Sequence, residues 1–510
     1  MDKLGLLMSD YRTSADGANT PTRIAFPRWV PQSALQTDPT GKIRSFRGLR
    51  PSRSLLLGTL FAATLAGCAP MKEASTAKVD ASLLENQAQK APALPQWQGF
   101  FTDARLQALI GQALNNNRDL RLALARVSEA RAQYGVTRAD RFPSVDGVVS
   151  GTRSSQPADI SAMGRRFDLT KGEVGISLPS YELDLWGRVA NLTEAAQASY
   201  LASEANALAV QLALVGDIAN AYYQWLETQE KLVISDGIYQ NRLSVRGIID
   251  KRLAVGLATE TERLQAEALN DGLLRDSAEI ARQHKAAVNT LAVLVGAPLS
   301  DASIGSGQPL AQQADSKALP DQAPSSLLLR RPDVQAAELR LKAADANVDA
   351  ARAAFLPRIA LTASYGTASS SLTGLFAENS ENWSFVPQIT IPLFNVGRTQ
   401  AAYDLVAARQ VQAVADYEKT IQNAFKEVAD ALVNRTSYAV QVKHQRDLLQ
   451  HQRERLTISS KRYEQGASNY MEVLDAQRET YSAEQTLLAL IRAQKAADVA
   501  VFKALGGGAS

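Results

Sequence analysis

The chain has 510 residues, of which 45% are hydrophobic and 21% charged, so it can fold around a sizeable core. Its formal charge of +3 comes from residues 1–53, which hold nine Lys and Arg against four Asp and Glu. Subtracting that +5 leaves −2 for the rest of the chain, which excludes a broad basic surface for nucleic acid. Helix-forming residues dominate from Ala104 onward, which predicts a mainly α fold.

The N-terminal region has the pattern of an export signal. Arginines precede an uncharged run from Ser54 to Gly67, which is too short to span a bilayer comfortably. The run leads into Leu-Ala-Gly-Cys at Cys68, which resembles the bacterial lipobox. We interpret residues 51–67 as a lipoprotein signal peptide and expect Cys68 to be lipidated with palmitate, starting the mature chain. Ala69 follows, whereas Asp is the usual inner-membrane retention signal, so outer-membrane sorting is expected. Residues 1–50 are either a disordered leader or the result of a misassigned start codon.

Two long stretches lack proline. None occurs between Pro179 and Pro298 or after Pro392, and each stretch is 118 residues long. Residues 398–465 also lack glycine. Because Pro and Gly are the strongest helix breakers, this run predicts a single helix of roughly 100 Å. Helices of that length belong to coiled coils or elongated bundles.

The two stretches are copies of one unit. Gly187 corresponds to Gly397, and Gly256 to Gly466, at a constant offset of 210 residues. Such a duplication predicts two long helical regions, each of which reverses into a second helix at Gly256 or Gly466. The predicted helical regions are 188–296 and 398–506.

Strand-like alternation precedes each helical region. Ile359, Leu361, Ala363 and Tyr365 alternate with smaller or polar residues. Similar alternation, less regular in the first copy, predicts four strands of about nine or ten residues, the length of a tilted membrane strand. The predicted strands are about 144–152, 173–181, 358–366 and 383–393, with polar loops at 151–171 and 366–382.

Four strands cannot close a membrane barrel, for which about eight are the minimum. An open sheet edge in hydrocarbon would leave backbone groups without partners, so several copies of the chain would have to pool their strands. The alternative is a soluble helical protein whose two hairpins pack on its own core. The signal peptide and the long helices favour the membrane arrangement.

The sequence contains no recognisable catalytic, cofactor-binding or metal-binding motif. Its three histidines, His284, His444 and His451, fall on predicted helices and are expected at solvated positions. We therefore expect a protein without enzymatic activity, cofactor or metal centre.

Four stretches, in this order, resemble the outer-membrane-factor family of efflux ducts, the TolC-like channels, and most closely its lipoprotein (OprM/NodT) branch. They are Trp97–Arg131, Leu327–Val334, Gly466–Arg478 and Lys503–Gly508.

The resemblance implies a duplicated β-hairpin plus long helical hairpin in a homotrimer. Four strands per chain would pool into a twelve-strand outer-membrane barrel above an α-helical periplasmic barrel. The chain would divide into a first repeat (68–298), an equatorial linker (299–331) and a second repeat (332–510).

The function that the resemblance implies is transport. The trimer would be the passive exit duct of a tripartite efflux system for drugs or other small amphiphilic solutes. It would receive them from an inner-membrane pump, usually of the resistance-nodulation-division type, through a periplasmic adaptor protein. A type I protein-secretion duct would share this architecture, and a non-pore structural coiled-coil lipoprotein remains a further alternative.

The resemblance also implies a closed periplasmic tip. Met471 and Asp475 fall on the family's apolar and acidic ring positions, four residues apart and so on one helix face. Arg478 could pair with Asp475 and hold the closed state. The alternative is an ordinary surface salt bridge worth under about 1 kcal/mol.

Overall fold

The computed structural model describes residues 96–162, 164–305, 307–313 and 328–507. The predicted leader (1–50), the signal peptide (51–67) and Cys68 lie outside the described residues, as do residues 314–327 of the linker.

The described elements are long helices and one small sheet. The helices are α1 (Trp97–Phe100), α2 (Ala104–Asn116), α3 (Arg118–Ala139), α4 (Arg188–Ala254), α5 (Glu260–Val295), α6 (Asp301–Ile304), α7 (Pro332–Ala353), α8 (Arg398–Glu464) and α9 (Tyr470–Ala504). The strands are β1 (Asp146–Gln156), β2 (Phe167–Leu183), β3 (Arg358–Ser369) and β4 (Glu381–Thr390).

One unit is used twice, which confirms the predicted mainly α fold with a duplicated β-hairpin and helical hairpin. Each unit holds a 22-residue helix, a β-hairpin, a 67-residue helix and a second helix of 36 or 35 residues. The 22-residue helices α3 and α7 are not part of the predicted unit. The sequence nevertheless contains a helix-start residue for each of them. Asn117 caps α3, and Pro332 is the first residue of α7.

The helical hairpins reverse at the two predicted glycines. Gly256 has φ +76° and Gly466 has φ +73°, a left-handed conformation that strains residues with a Cβ. Each following helix then begins with a side-chain cap. Thr259 and Glu262 form a reciprocal capping box on α5, and the Asn469 side chain caps α9. Local chemistry therefore fixes both reversals.

The four strands form one antiparallel sheet in the order β1-β2-β3-β4. Pairing in the first hairpin extends to Gln156 and Phe167, inside the predicted polar loop of 151–171. The prediction of that loop was too long because backbone pairing does not require the apolar alternation from which the strands were read. β4 ends at Thr390, short of the predicted 393, because Pro392 has no N–H to donate.

An apolar core that we call the belt surrounds the middle of α4. Tyr222 and Trp225 are fully buried there against residues of α1, α2, α5, α9 and the segment 297–313. Asp103, the N-cap of α2, accepts hydrogen bonds from Tyr222 Oη and Gln313 Nε2, each at 2.7 Å. Burial alone would raise the pKa of the Asp103 carboxyl, but these hydrogen bonds hold it below its usual value. The belt thus packs Asp103 and Gln313, which lie outside the duplicated unit, against α4, the longest helix of the first unit.

The prediction that all three histidines are solvated is wrong for His284, which is only 8% exposed. Its Nδ1 lies 3.0 Å from Thr228 Oγ1, and its Nε2 lies 2.8 Å from Asp301 Oδ1. Trp225 Nε1 donates to the same carboxylate oxygen at 2.9 Å. His284 is buried because it packs against Thr228 and Trp225 of α4, with Asp301 of α6 at its other nitrogen, contacts that a helical pattern cannot reveal. His444 and His451 are exposed, as predicted.

Arg331 joins three elements around the start of the second repeat. Its guanidinium donates to Asp333 at 2.7 Å, to Glu427 on α8 at 2.6 Å and to the Ala504 carbonyl at the end of α9 at 3.1 Å. Burial opposes the charged form, but the hydrogen bonds to the two carboxylates raise the pKa of Arg331. A planar guanidinium can serve three acceptors at fixed directions, which an ammonium group cannot.

We predict that Arg331→Lys lowers the free energy of unfolding by about 2 kcal/mol, because charge-assisted hydrogen bonds are lost at a buried position. The thermal unfolding of the purified protein, followed by circular dichroism, measures this loss. Arg340→Lys is the matched control, since Arg340 is half-exposed and lies 3.8 Å from Asp416. Equal melting temperatures for the two variants would contradict the role given to Arg331.

Candidate functional site

The tips of the two helical hairpins pack against each other. Ile249 and Ala266 of the first hairpin are buried with Tyr470, Val473 and Leu474 of the second. Burial raises the pKa of Tyr470 to about 12. The α9 residues of this cluster follow a helical spacing, so one face of α9 is fixed on the first hairpin.

Aromatic contacts complete the packing at the reversal. The rings of Tyr463 and Tyr470 have centroids 5.1 Å apart. The guanidinium of Arg252, at the end of α4, lies 4.7 Å from the centroid of Tyr463. This cation–π contact links the end of one 67-residue helix to the end of the other.

The predicted gate residues lie together on the neighbouring, exposed face of α9. Met471 is 49% exposed, and Asp475 and Arg478 are also solvent-accessible. Arg478 Nη2 donates to Asp475 Oδ1 at 2.7 Å, so the structure brings the predicted pair together. A constriction formed by these exposed side chains would require further copies of the chain.

Asp475 has a second partner that the sequence did not reveal. Arg455 of α8 also donates to the Asp475 carboxylate. Arg455 lies 20 residues before Asp475, on the other helix of the hairpin, so no i,i+4 pattern could indicate it. Arg462 and Glu472 form another cross-hairpin ion pair at 3.5 Å. All these pairs are substantially exposed, so each contributes little to stability.

A polar seam lies between the hairpins above the tip. Arg242 is only 5% exposed, and its guanidinium donates to the Leu269 carbonyl at 2.8 Å. Burial lowers the pKa of Arg242. Within the described residues, Arg242 Nε, Asn270 Oδ1 and Gln477 Oε1 are buried without a hydrogen-bond partner. Each such atom costs about 1–3 kcal/mol relative to a hydrogen-bonded one.

The second candidate surface is the sheet, whose two faces differ. On one face Ile176, Tyr365 and Trp383 form a row across three strands, and Trp383 is 71% exposed. On the other face Ser364 and Ser384 hydrogen-bond at 2.7 Å. Glu173 and Asn382 hydrogen-bond on that face at 3.2 Å. The sheet therefore has one face suited to lipid and one suited to water.

Both edges of this sheet are open. β1 and β4 each pair with a single neighbour, and Pro387 is tolerated because β4 is an edge strand here. Among the described residues, no group of three or more His, Cys, Asp or Glu side chains could hold a metal ion.

Comparisons with known proteins agree with this arrangement. A family model described as outer membrane efflux protein matches residues 109–297 and 323–507. The solvent efflux pump outer membrane protein SrpC of Pseudomonas putida is 41% identical over 418 residues, which cover 82% of this chain and 88% of SrpC. The cation efflux system protein CusC of Escherichia coli is 40% identical over 421 residues, which cover 81% of this chain and 88% of CusC.

The fold is also similar to that of solved structures. The crystal structure of a membrane protein from Pseudomonas aeruginosa superposes with a TM-score of 0.78 at 40% identity. The match covers 82% of this chain and 96% of that protein.

Proposed function

Because the chain belongs to the outer membrane efflux protein family and is an outer-membrane efflux channel, we propose that three copies form the passive exit duct of a tripartite pump. The observation that carries this proposal is the sheet, with one apolar face, one polar face and two open edges. Three sheets joined edge to edge satisfy every edge strand and enclose a polar lumen. Outer-membrane lipid then covers the face that carries Trp383.

The long helices continue this lumen into the periplasm. The order of helix packing is α3, α4, α7, α8, so each chain supplies four neighbouring helices below its four strands. We propose that an adaptor protein engages the periplasmic end and connects it to an inner-membrane pump of the resistance-nodulation-division type. The duct itself uses no energy and carries out no catalysis.

The proposed cargo is drugs or other small amphiphilic solutes. Relatives named for solvent efflux and for cation efflux have nearly equal identity to this chain, so similarity supports efflux without selecting one solute. A type I protein-secretion duct would share the architecture, but neither of these relatives is named for secretion. A structural coiled-coil lipoprotein without a pore does not account for the two-faced sheet.

The proposed gate is the tip of α9, where three copies would bring Met471 and Asp475 around one axis. Met471 would form an apolar constriction, and the Asp475 carboxylates would concentrate negative charge beside it. The ion pairs of Asp475 with Arg455 and Arg478 are exposed to solvent, so each stabilises the closed arrangement only weakly. A partner with modest preference for the open state could therefore open it.

The proposed gate residues should determine the conductance and the cation selectivity of the channel. We expect Asp475→Ala with Met471→Ala to raise conductance in planar bilayers and to sensitise cells to large antibiotics such as vancomycin. Asp475→Asn alone should chiefly reduce cation selectivity. Asp447→Ala, an exposed carboxylate higher on α8, is the control and should change neither property. If conductance and selectivity are unchanged in all variants, the restriction lies elsewhere.

The orientation of β4 predicts which substitutions the barrel tolerates. Phe385, in the middle of β4, pairs with Ala363 on the apolar face, and Ser384 pairs with Ser364 on the polar face. A charge on the lipid face costs about 2–4 kcal/mol near the membrane centre. Phe385→Arg should therefore deplete assembled trimer on semi-native gels, whereas Ser384→Arg should not. Equal tolerance would place this strand outside lipid.

Lipidation is tested separately. We expect radiolabelled palmitate to enter the wild-type protein and not Cys68→Ser. Because the barrel supplies most of the membrane attachment, the variant should retain some assembled trimer if an ordinary signal peptide exports it. Label that persists in Cys68→Ser would refute lipidation at this residue.

A further inference from the structure

A cleft of about 340 Å³ lies directly below the sheet, between α3, α4 and α7. Its polar lining includes Arg141, Asn191, Gln197 and Lys342, and Tyr134 lies at its wall. We propose that this cleft binds the phosphate headgroup of an anionic phospholipid from the periplasmic leaflet. The proposal rests on the placement of the sheet in the outer membrane.

The cleft opens on the outer wall of the channel. Arg188 begins α4 and points to Glu182, on the polar face of the sheet, at 2.7 Å. Gln197 lies nine residues later, about two and a half helical turns, so it points the opposite way. Tyr181 lies in the apolar-face row with Leu361, and its hydroxyl donates to the Arg141 carbonyl at 3.2 Å. Both contacts place the cleft on the lipid-facing side.

The upper end of the cleft lies at the depth of lipid headgroups. Asn191 is in the first turn of α4, immediately below the sheet, whereas Gln197 marks the lower end of the cleft, about 14 Å along the helix. The headgroup region adds roughly 5–7 Å on each side of the hydrocarbon. Phe142 and Val145, which follow Arg141, are 63% and 65% exposed, so they offer an apolar surface to the acyl chains of a lipid held there.

The charge of the lining favours an anion. Arg141 and Lys342 are cationic, and Glu194, the one carboxylate of the lining, pairs with Lys342 at 3.4 Å. In the described part of the chain, no side-chain hydrogen bond or ion pair engages the Arg141 guanidinium or the amides of Asn191 and Gln197. A phosphodiester would accept from Arg141, and a glycerol headgroup would supply hydroxyls for the amides.

The cleft is not part of the proposed contact between copies. Since the packing order is α3, α4, α7, α8, a neighbouring copy would meet the outer edges of α3 and α8. The cleft lies over α4, inside one protomer, and stays open to solvent in the trimer. Each trimer would therefore hold three such lipids.

The test is native mass spectrometry of the delipidated full-length protein with phosphatidylglycerol or phosphatidylcholine of the same acyl chains. We expect Arg141→Gln with Lys342→Gln to weaken phosphatidylglycerol binding on the order of tenfold, with phosphatidylcholine binding unchanged. Arg138→Gln with Arg340→Gln removes two charges from the same helices outside the cleft and should bind like the wild type. Equal losses in both double variants, or none in either, would overturn the proposal.

Two further measurements distinguish a lipid from a soluble anion, and a failure of the headgroup site from a failure of the proposed duct. An excess of inorganic phosphate should not displace the lipid; displacement would assign the cleft to a soluble anion and overturn the lipid. The same preparations are tested for conductance in planar bilayers. If the channel conducts but phosphatidylglycerol does not bind, the headgroup site fails alone, whereas a wild type that neither inserts nor conducts refutes the proposed duct.

Discussion

Backbone groups in hydrocarbon have no water to bond, and the four-stranded sheet leaves one edge of β1 and one edge of β4 without partners. One chain cannot remove both edges, because four strands are too few to curl into a barrel. Assembly of several copies is therefore a condition of membrane insertion. The helical layer follows from the same constraint, since each strand connects to one helix of the layer below it, through Gly187 and Gly397 for the two longest. The strand count of the sheet thus sets the helix count of the duct.

Duplication gives this architecture its regularity and leaves the tips free to differ. The two units have long helices of identical length and reverse at glycines of nearly identical φ. Their exposed faces have different chemistry. The first tip carries Glu260 and Glu267 around Arg263, whereas the second carries Met471 and the Asp475 ion pairs. A repeated backbone can therefore carry two tips of different chemistry.

The hydrogen bonding of buried polar groups differs between the belt and the region near the tip. Asp103, His284 and Arg331 are buried and hydrogen-bonded, and they connect segments that are far apart in sequence. In the seam near the tip, Arg242 and Asn270 have buried atoms that lack partners within the described chain. A satisfied polar network holds one arrangement firmly, and a partly satisfied one does not. The buried polar groups around Asp103 and His284 are thus better satisfied than those beside Arg242.

The sequence by itself determined the features that depend on local chemistry. Proline-free runs set the long helices, Gly256 and Gly466 set the reversals, and alternation identified the four strands, although it shortened the first hairpin. The tip residues Met471, Asp475 and Arg478 were found through family resemblance and share one face because they are a helical turn apart. Only the tertiary structure decided the contacts between distant segments. Arg455 reaches Asp475 across a hairpin, α4 and α6 together enclose His284, and α3, α4 and α7 form the cleft at Arg141. Periodicity records which face of an element is apolar, but it does not record which element covers that face.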